Sequence, residues 1–509
     1  MAYIHYVPNP NGTVYASVCE SYREGGHVKT RRIMALGRVI DKEKNIFYQK
    51  GRMFQYTVDN GRTEVPADFY TEPLLPSKEK LILDFGDGWF FKEFLERQPF
   101  YDSIAGILPG ESDTVLSLVA FRLLTCKTAN CHAKFWYEGN YAYLGFPHAN
   151  MTSQNIARVL KKLGDEEVQR RFFNSYISCL YPGSNAAGIL IDSTGVPNAT
   201  KMNVTQVSNH NGDINREVRV IYVIDRENGM PIYFRYVAGN IVDVSTLITT
   251  VGELQQYSVS VSQAILDAGY FSEGNAAALF ESGIPFLTRI APNKTIFKEA
   301  IKTGLEGLMS QEHAYRYGKR LVFIRKMPMD VCSYRGYLYL CLDEDIYLMQ
   351  HKKIFLNGID EGRSSSETDK VLTQTGLFAL LSSEDMKEDD LLPLYYTRQQ
   401  VEQVFDITKN YADLLPIRVQ TEESFAGHLM ISFIATLVAQ QIQRILLKKR
   451  SRKAKELNGE SIWSYLRSQK CKIYDNYAIP QEPRKEVNAI YNIFKMDMPH
   501  KIPLEHIEV

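Results

Sequence analysis

The 509-residue sequence has little cysteine, no net charge and no recognisable targeting segment. Its seven cysteines are an odd number scattered between Cys19 and Cys471, which excludes a disulfide framework and is typical of a reducing compartment. The 59 basic and 59 acidic residues cancel, so no overall field attracts polyanions, and a nucleic-acid surface would have to be a local patch. The N-terminal residues lack the basic and apolar runs of a signal peptide. We therefore expect a cytoplasmic protein.

Long hydrophobic runs are also scarce. The longest, "FAGHLMISFIATLVAQQIQ", is near the length of a membrane span, but it contains His428 and continues into glutamine-rich and basic sequence. We predict a buried core helix there.

Two segments carry a local excess of positive charge. Residues 1–57 contain nine Lys or Arg against four acidic residues, and residues 444–472 contain ten against two. The overall composition, with 45% hydrophobic and 23% charged residues, is typical of a globular protein with two to four domains.

The first two predicted domains precede the part of the chain that carries the candidate chemistry. Residues 1–70 form a basic, β-rich segment in which "REGGH" is the turn of a hairpin. Residues 71–182 form a helical, DNA-binding region, in which "MTSQNIARVLKKLGDEEVQRRFFNSYI" predicts two helices divided at "LGDEE". The pair is either a helix-turn-helix that docks on DNA or ordinary helical packing, and the sequence leaves both open.

Residues 183–290 predict the order β-β-β-α-β-α-β. The strands are "GILID", "REVRVIYVID", "MPIYFRYVAG", "SQAILD" and "IPFLTRI", with "RENG" as the turn between the second and third. Three antiparallel strands followed by strand–helix alternation predict an α/β fold with a ribonuclease-H-like core, a mixed five-stranded sheet with helices. We interpret 291–390 as an inserted β-rich subdomain, 391–440 as the second part of the core with its catalytic helix, and 441–509 as a basic helical C-terminal region.

Two carboxylates, Asp192 and Asp267, each end an apolar strand of this predicted core. Strand ends often carry Asp as a turn former, so neither alone defines a site. Two on adjacent strands of one sheet favour a metal site, because magnesium prefers oxygen ligands. Phosphoryl transfer on DNA commonly uses two such ions about 4 Å apart.

The stretch "YYTRQQVEQVFDITKN" supplies a third carboxylate. On an ideal helix with Glu402 as origin, Tyr395 and Lys409 lie about 20° to either side, and Arg398 lies about 40° away. The four side chains therefore share one stripe. A surface ion pair would explain Arg398 and Glu402 but not the other two.

The spacing Tyr-x₂-Arg-x₃-Glu-x₆-Lys resembles the signature of the cut-and-paste DDE transposases of bacterial insertion sequences (insertion sequence family four and relatives). "IDSTG" and "DAGYFSEGN" are similar to the two aspartate motifs of that family. The N-terminal "ESYREGGHVKTRRIMALGRV" resembles the opening of its long branch of about 500 residues.

This resemblance implies a magnesium-dependent DNA strand transferase. Asp192, Asp267 and Glu402 would be catalytic and would bind two Mg²⁺ ions, for which Mn²⁺ would substitute as a cofactor. Tyr395, Arg398 and Lys409 would bind DNA phosphates. The partners would be double-stranded DNA, both transposon ends and target, and a second copy of the chain in a homodimer assembled on DNA, with no membrane. The cytoplasmic location would be prokaryotic and nucleoid-associated.

One departure from the family concerns tryptophan. Relatives that form DNA hairpins stack a tryptophan of the inserted subdomain on a flipped base, whereas Trp89, Trp136 and Trp463 all lie outside 291–390. The use of a hairpin stays open, with tyrosines such as Tyr317 as alternative stacking residues. Two further acids near the motifs are Asp243, interpreted as a helix cap, and Asp406, one turn past Glu402.

Two other functions remain open from the sequence. One is a ribonuclease-H-like nuclease that cuts DNA without joining it, and the other is a non-catalytic DNA-binding protein derived from a transposase. The intact set of three acids favours an active transposase over the latter, since idle carboxylates placed together repel one another.

Overall fold

The computed structural model describes residues 2–9, 13–65, 79–182, 186–208, 215–361, 372, 374–412, 414–449 and 451–504. The predicted boundaries after residues 70 and 182, and most of the polar stretch "DEGRSSSETDK", lie outside these residues. The chain divides into two compact units. The first comprises Met1–Leu83, Gln469–Arg484 and Asp497–Val509, and the second comprises Asp84–Ser468 and Lys485–Met496.

The strands of the described residues are β1 Ala2–Pro8, β2 Val14–Glu24, β3 His27–Asp41, β4 Ile46–Gln49, β5 Arg52–Thr57, β6 Gly61–Thr63, β7 Leu81–Asp84, β8 Ala186–Pro197, β9 Gln206–Ser208, β10 Asn215–Asp225, β11 Pro231–Ala238, β12 Ser260–Leu266, β13 Phe286–Ile290, β14 Ala314–Tyr317, β15 Arg320–Val331, β16 Tyr334–Asp343, β17 Leu377–Ser382, β18 Lys470–Ile473, β19 Tyr477–Pro480 and β20 Ile502–Pro503.

The α-helices of the same residues are Gly86–Glu96, Tyr101–Ala105, Ser112–Thr125, Ala133–Glu138, Ala142–Gly145, Ser153–Leu163, Glu166–Leu180, Leu247–Gln256, Glu273–Glu281, Thr295–Gly304, Glu344–Glu361, Glu388–Tyr395, Gln399–Asp406, Glu422–Lys448, Arg452–Glu456, Ser461–Leu466 and Lys485–Phe494.

The N-terminal segment forms an antiparallel sheet in the order β1-β2-β3-β4-β5-β6. The predicted hairpin is confirmed as β2 and β3, joined by Gly25 and Gly26 at φ of 61° and 83°, a conformation that glycine adopts without strain. Strands β4 to β6 continue the sheet beyond the hairpin. Its buried cluster is Ala16, Val18, Leu36, Phe47, Phe54 and Tyr56.

A smaller sheet in the same unit has the order β20-β19-β18-β7. Three of its strands come from residues 441–509, which the sequence predicts to be helical. Cys471 and Ile473 on β18 and Ala478 and Pro480 on β19 are buried at every second position, which is the strand period. Helical segments also occur in this part of the chain, so the prediction of an entirely helical region was wrong.

The second unit is built on one large mixed sheet in the order β11-β10-β8-β12-β13-β17-β16-β15-β14, with β9 paired to β10. β8, β10 and β11 are antiparallel, whereas β12 runs parallel to both β8 and β13. The mixed α/β class is therefore confirmed. The sheet is larger than the predicted five strands, because β13 offers a further edge whose backbone groups pair with β17. The strands of 291–390 thus continue this sheet.

The helical part of the second unit packs around the helix Glu422–Lys448. The two predicted helices are present as Ser153–Leu163, capped by Thr152, and Glu166–Leu180, capped by Asp165. Gly164 and Gly427 allow a close crossing: a Cβ on Gly164 would meet the Glu423 carbonyl oxygen, and one on Gly427 would meet that of Leu160. Glycine is therefore required at both positions.

The helix Glu422–Lys448 is long and apolar enough to cross a membrane by composition, but 94% of its apolar window is buried inside the protein. The predicted core helix is thus confirmed.

Candidate active site

Asp192 and Asp267 lie side by side on the central sheet. Leu266, the last residue of β12, pairs with Ile191 of the parallel strand β8, so the residues that follow each of them are neighbours. Asp267 ends its strand as predicted. Asp192 does not: β8 continues to Pro197, because residues 193–197 pair with 217–221 of β10. The prediction that Asp192 ends a strand was wrong, and its carboxylate emerges from the middle of the sheet.

The stretch that carries Glu402 is helical but not one ideal helix. The helix Glu388–Tyr395 passes into a 3₁₀ turn at Tyr396–Arg398, then into the α-helix Gln399–Asp406 and a π-helical turn at Ile407–Tyr411. Each change of winding alters the angle between successive side chains, so the uniform stripe of an ideal helix does not describe the segment. Single π-helical turns within α-helices frequently occur at functional sites.

Arg398 joins the three predicted carboxylates. Its Nη1 lies 2.9 Å from Asp192 Oδ2 and 3.6 Å from Asp267 Oδ2, and its Nη2 lies 3.7 Å from Glu402 Oε1. The Tyr395 hydroxyl donates a hydrogen bond of 3.5 Å to Asp267 Oδ1. Five residues from three separate segments therefore converge, with the guanidinium at their centre.

The charges at this centre are unequally exposed. The Asp192 side chain is 16% exposed and that of Glu402 is 66% exposed. Burial raises the pKa of Asp192 to about 7, although Arg398 and the Ser193 amide act in the opposite direction. Burial, helped by the charge of Asp267, raises the pKa of Tyr395 to about 12, so its phenol remains a hydrogen-bond donor.

Lys409, the last residue of the motif, lies in the π-helical turn and is half-buried. Burial lowers the pKa of its ammonium group, and the carboxylate of the buried Glu217 opposes that shift. Among the described residues, Lys409 forms no ion pair with Asp192, Asp267 or Glu402. The structure thus gathers Tyr395, Arg398 and Glu402 around the two aspartates.

A second polar cluster, formed by Ser193, Asp243 and Arg219, contacts Asp192 through the Ser193 amide. The sequence analysis did not predict this cluster. The Ser193 amide donates to Asp192 Oδ1 at 2.8 Å, and the Ser193 hydroxyl donates to Asp243 Oδ1. Arg219 Nη1 donates to Asp243 Oδ1 at 2.7 Å and to Ser193 Oγ at 2.9 Å. The N-cap positions here are Val242 and Thr246, and Asp243 lies inside the 3₁₀ turn Asp243–Ser245, so its interpretation as a helix cap was wrong. The available signal was Arg219 itself, a charge within the apolar strand "REVRVIYVID".

The donor set at this centre has the chemistry of a divalent-cation site. All three acids offer only oxygen, which Mg²⁺ and Mn²⁺ prefer, and all three already contact one cationic group. Among the described residues, no three His, Cys, Asp or Glu are spaced to hold a metal ion together. The three acids are of the chemical type that binds divalent metal ions. In this structure each of them contacts Arg398.

Sequence comparison identifies the family to which these residues belong. The family profile described as "Transposase DDE domain" matches residues 184–438, half of the chain, including the strands of Asp192 and Asp267 and the helical run of Glu402. The chain belongs to the DDE transposase family. A second profile, "IS1634 family transposase, N-terminal domain", matches residues 5–50 of the transposase. The predicted membership among bacterial insertion-sequence transposases is thereby confirmed.

Other comparisons add little to this assignment. No curated protein matches the transposase. A solved structure, the cryo-EM structure of the piggyBac transposase synaptic complex with hairpin DNA, is similar over 75% of this chain and 80% of that chain. The sequence identity is 11% and the TM-score 0.38, a likeness too small to carry an argument. DDE transposase domains generally depend on divalent metal ions, in agreement with the oxygen-only donor set described above.

Proposed function

We propose that this transposase binds the terminal inverted repeats of its insertion sequence, cleaves the DNA ends and joins the 3′-hydroxyl ends to target DNA. In this proposal β11, β10, β8, β12 and β13 form a ribonuclease-H-like core, and Asp192, Asp267 and Glu402 are its catalytic residues. The observation that carries the proposal is the convergence of these three acids on one cation. Ordinary surface ion pairs do not bring together three segments in this way.

The three acids would hold two Mg²⁺ ions, with Mn²⁺ as a substitute. Bound metal would activate the attacking oxygen and stabilise the leaving oxygen of the phosphodiester. Arg398 would grip a phosphate of the bound DNA with its planar fork of donors. Tyr395 donates a hydrogen bond to the same phosphate region, and Lys409 adds a positive charge. Two copies of the chain would act together on DNA, one at each end.

Cleavage of the DNA that flanks the gene tests this proposal. The full-length protein is incubated with a labelled duplex from each flank in MgCl₂, MnCl₂ or EDTA, and the nicked strands are sized. We expect cuts at the ends of an inverted repeat with either metal and none in EDTA. Transfer of the labelled 3′-hydroxyl end into a plasmid separates a transposase from a nuclease that only cuts.

Three single variants, Asp192→Ala, Asp267→Ala and Glu402→Ala, assign the chemistry to the proposed residues. Each is expected to abolish cutting while the protein still binds the duplex. Unchanged cutting in all three would overturn the site assignment. Binding without any cutting by the unaltered protein would instead favour a non-catalytic DNA-binding protein.

A further inference from the structure

The outer half of the β2–β3 hairpin stands free of any core. All fourteen residues from 21 to 34 are exposed, and those from 21 to 30 form a two-stranded ribbon that extends beyond the pairing of β2 with β1. The four paired residues of each strand, 21–24 and 27–30, correspond to a length of about 14 Å, with the strands about 4.8 Å apart. A two-stranded hairpin without a packed face is only marginally stable in water. We call this ribbon, the outer part of β2 and β3, the arm. It has no packed face of its own, which is typical of an element that contacts a partner.

The two faces of the arm differ in charge. Residues directly opposite each other in an antiparallel pair share a face. One face holds Glu20, Glu24, Lys29 and Arg31, and its charges pair internally: Lys29 Nζ lies 3.0 Å from Glu24 Oε2, and Arg31 Nη2 lies 3.0 Å from Glu20 Oε2. We call it the neutral face.

The other face, which we call the basic face, holds Arg23 opposite Val28, Ser21 opposite Thr30, and Arg32 opposite Cys19. It has two guanidinium groups and no acid. Within the described residues neither Arg23 nor Arg32 forms an ion pair. The basic face therefore keeps its full positive charge for a partner, while the neutral face does not.

We propose that the β2–β3 arm lies in a groove of duplex DNA with its basic face toward the duplex. The inference rests on the proposed function and names the element that contacts DNA. The major groove, about 12 Å wide, admits a two-stranded ribbon. Arg23 and Arg32 match the charge of the phosphates or the acceptor edge of guanine, Ser21 and Thr30 offer hydroxyls to base edges, and Val28 offers an apolar contact to a thymine methyl group.

Two double variants of the full-length protein with equal loss of charge test this orientation. R23Q/R32Q removes both cations of the basic face, and K29Q/R31Q removes both cations of the neutral face. Affinity for a duplex from the gene's own flank, and for a duplex of random sequence, is measured in EDTA by fluorescence anisotropy between 50 and 200 mM salt.

We expect R23Q/R32Q to weaken binding about tenfold or more and to lower the slope of log affinity against log salt by about two, since each phosphate contact contributes about 0.9. K29Q/R31Q should weaken binding less than threefold. Equal weakening by both variants would reduce the effect to net charge and overturn the proposal. So would no weakening by either, or a change in oligomeric state by R23Q/R32Q with DNA affinity intact, which would assign the arm to a second copy.

This measurement is independent of the chemistry at Asp192, Asp267 and Glu402, because no cutting is measured and EDTA removes divalent metal. Failure of the arm proposal leaves metal-dependent cutting by the unaltered protein intact. Failure of the proposed function is seen as absent or triad-independent cutting, whatever the arm variants do.

Discussion

The candidate active site and the β2–β3 arm differ in whether their charged side chains are buried and paired. Around Arg398, a largely buried guanidinium is opposed by three carboxylates, and Arg219 behind it is buried against Asp243. On the arm, the cations of one face are exposed and without acids. Buried charges are costly unless paired, so they hold a geometry, whereas exposed charges cost little and are available to a partner. The difference agrees with the two proposed roles, chemistry for the buried groups and DNA recognition for the exposed ones.

The largest effect is expected when one carboxylate of the candidate active site loses its charge. Asp267→Asn keeps the shape of the side chain but removes its charge, and we expect the rate of DNA cutting to fall by at least about 10³-fold, as for other groups that stabilise a reacting centre. The rate is measured on the flanking-DNA duplex in MgCl₂. Asp406→Asn is the matched control, because Asp406 is exposed one turn past Glu402 and bonds only to Asn410 among the described residues. A comparable loss in that variant would remove the distinction between the acids.

The second prediction concerns the stability contributed by Arg398. Arg398→Ala leaves Asp192 and Asp267 without their shared cation, and we expect the free energy of unfolding in EDTA to fall by about 2 kcal/mol or more. Added MgCl₂ should recover part of that loss, because a ligand of the folded state stabilises it. Thermal unfolding with and without metal measures both effects. Arg335→Ala, which breaks an exposed pair with Asp330, should change stability by less than about 1 kcal/mol.

A third prediction concerns the buried imidazole of His428, whose protonation is unfavourable in the folded protein. His428 Nε2 donates to the Leu414 carbonyl oxygen at 3.0 Å, and its Nδ1 faces Arg122 Nη2 at 3.3 Å, so the ring is neutral. Burial, with the charge of Arg122, lowers the pKa of His428 to about 3. Between pH 6.5 and 3 the unfolded chain then binds a proton that the folded protein does not, and stability falls as the pH falls.

His428→Gln, which keeps an amide donor for the same carbonyl, should flatten that dependence by up to about 1.4 kcal/mol per pH unit. Denaturant unfolding of both proteins at pH 7, 6, 5 and 4 measures the slope. Identical slopes would show that the buried imidazole does not contribute to acid sensitivity.

The smallest expected effect is on the neutral face of the arm. The double change E24Q/K29Q removes an exposed ion pair of 3.0 Å, and such pairs contribute between about 0 and 1 kcal/mol. We expect a change in melting temperature of about 1 °C or less in differential scanning fluorimetry. A large loss would mean that the ion pairs of the arm hold its fold together, and the contrast with the buried site would weaken.

The elements of the fold follow from local patterns. Alternation and "REGGH" predicted the β2–β3 hairpin, turn residues separated the strands of 183–290, and helical spacing predicted two helices divided at "LGDEE". Each of these patterns is contained within a few consecutive residues of the chain. The predicted order of the strands also placed Asp192 and Asp267 on adjacent strands of one sheet, and β8 and β12 are neighbours.

The pairing of distant segments did not follow from local patterns. The union of β13 with β17 depends on which strand edges remain open after the core has formed. The partners of Arg398 and Asp243 depend on side chains that are far apart in sequence. The 3₁₀ and π-helical turns flanking Glu402 lie in a segment whose composition favours a regular helix, so tertiary packing has overridden propensity there.

The crossing at Gly164 and Gly427 limits how the chain can be divided for experiments. A truncated protein that begins near residue 183 would lose the helix Ser153–Leu163 and expose the apolar side of Glu422–Lys448 that packs on it. Such a fragment would tend to aggregate even though it retains Asp192, Asp267 and Glu402. A soluble protein that contains the candidate catalytic residues therefore requires the helices that precede them.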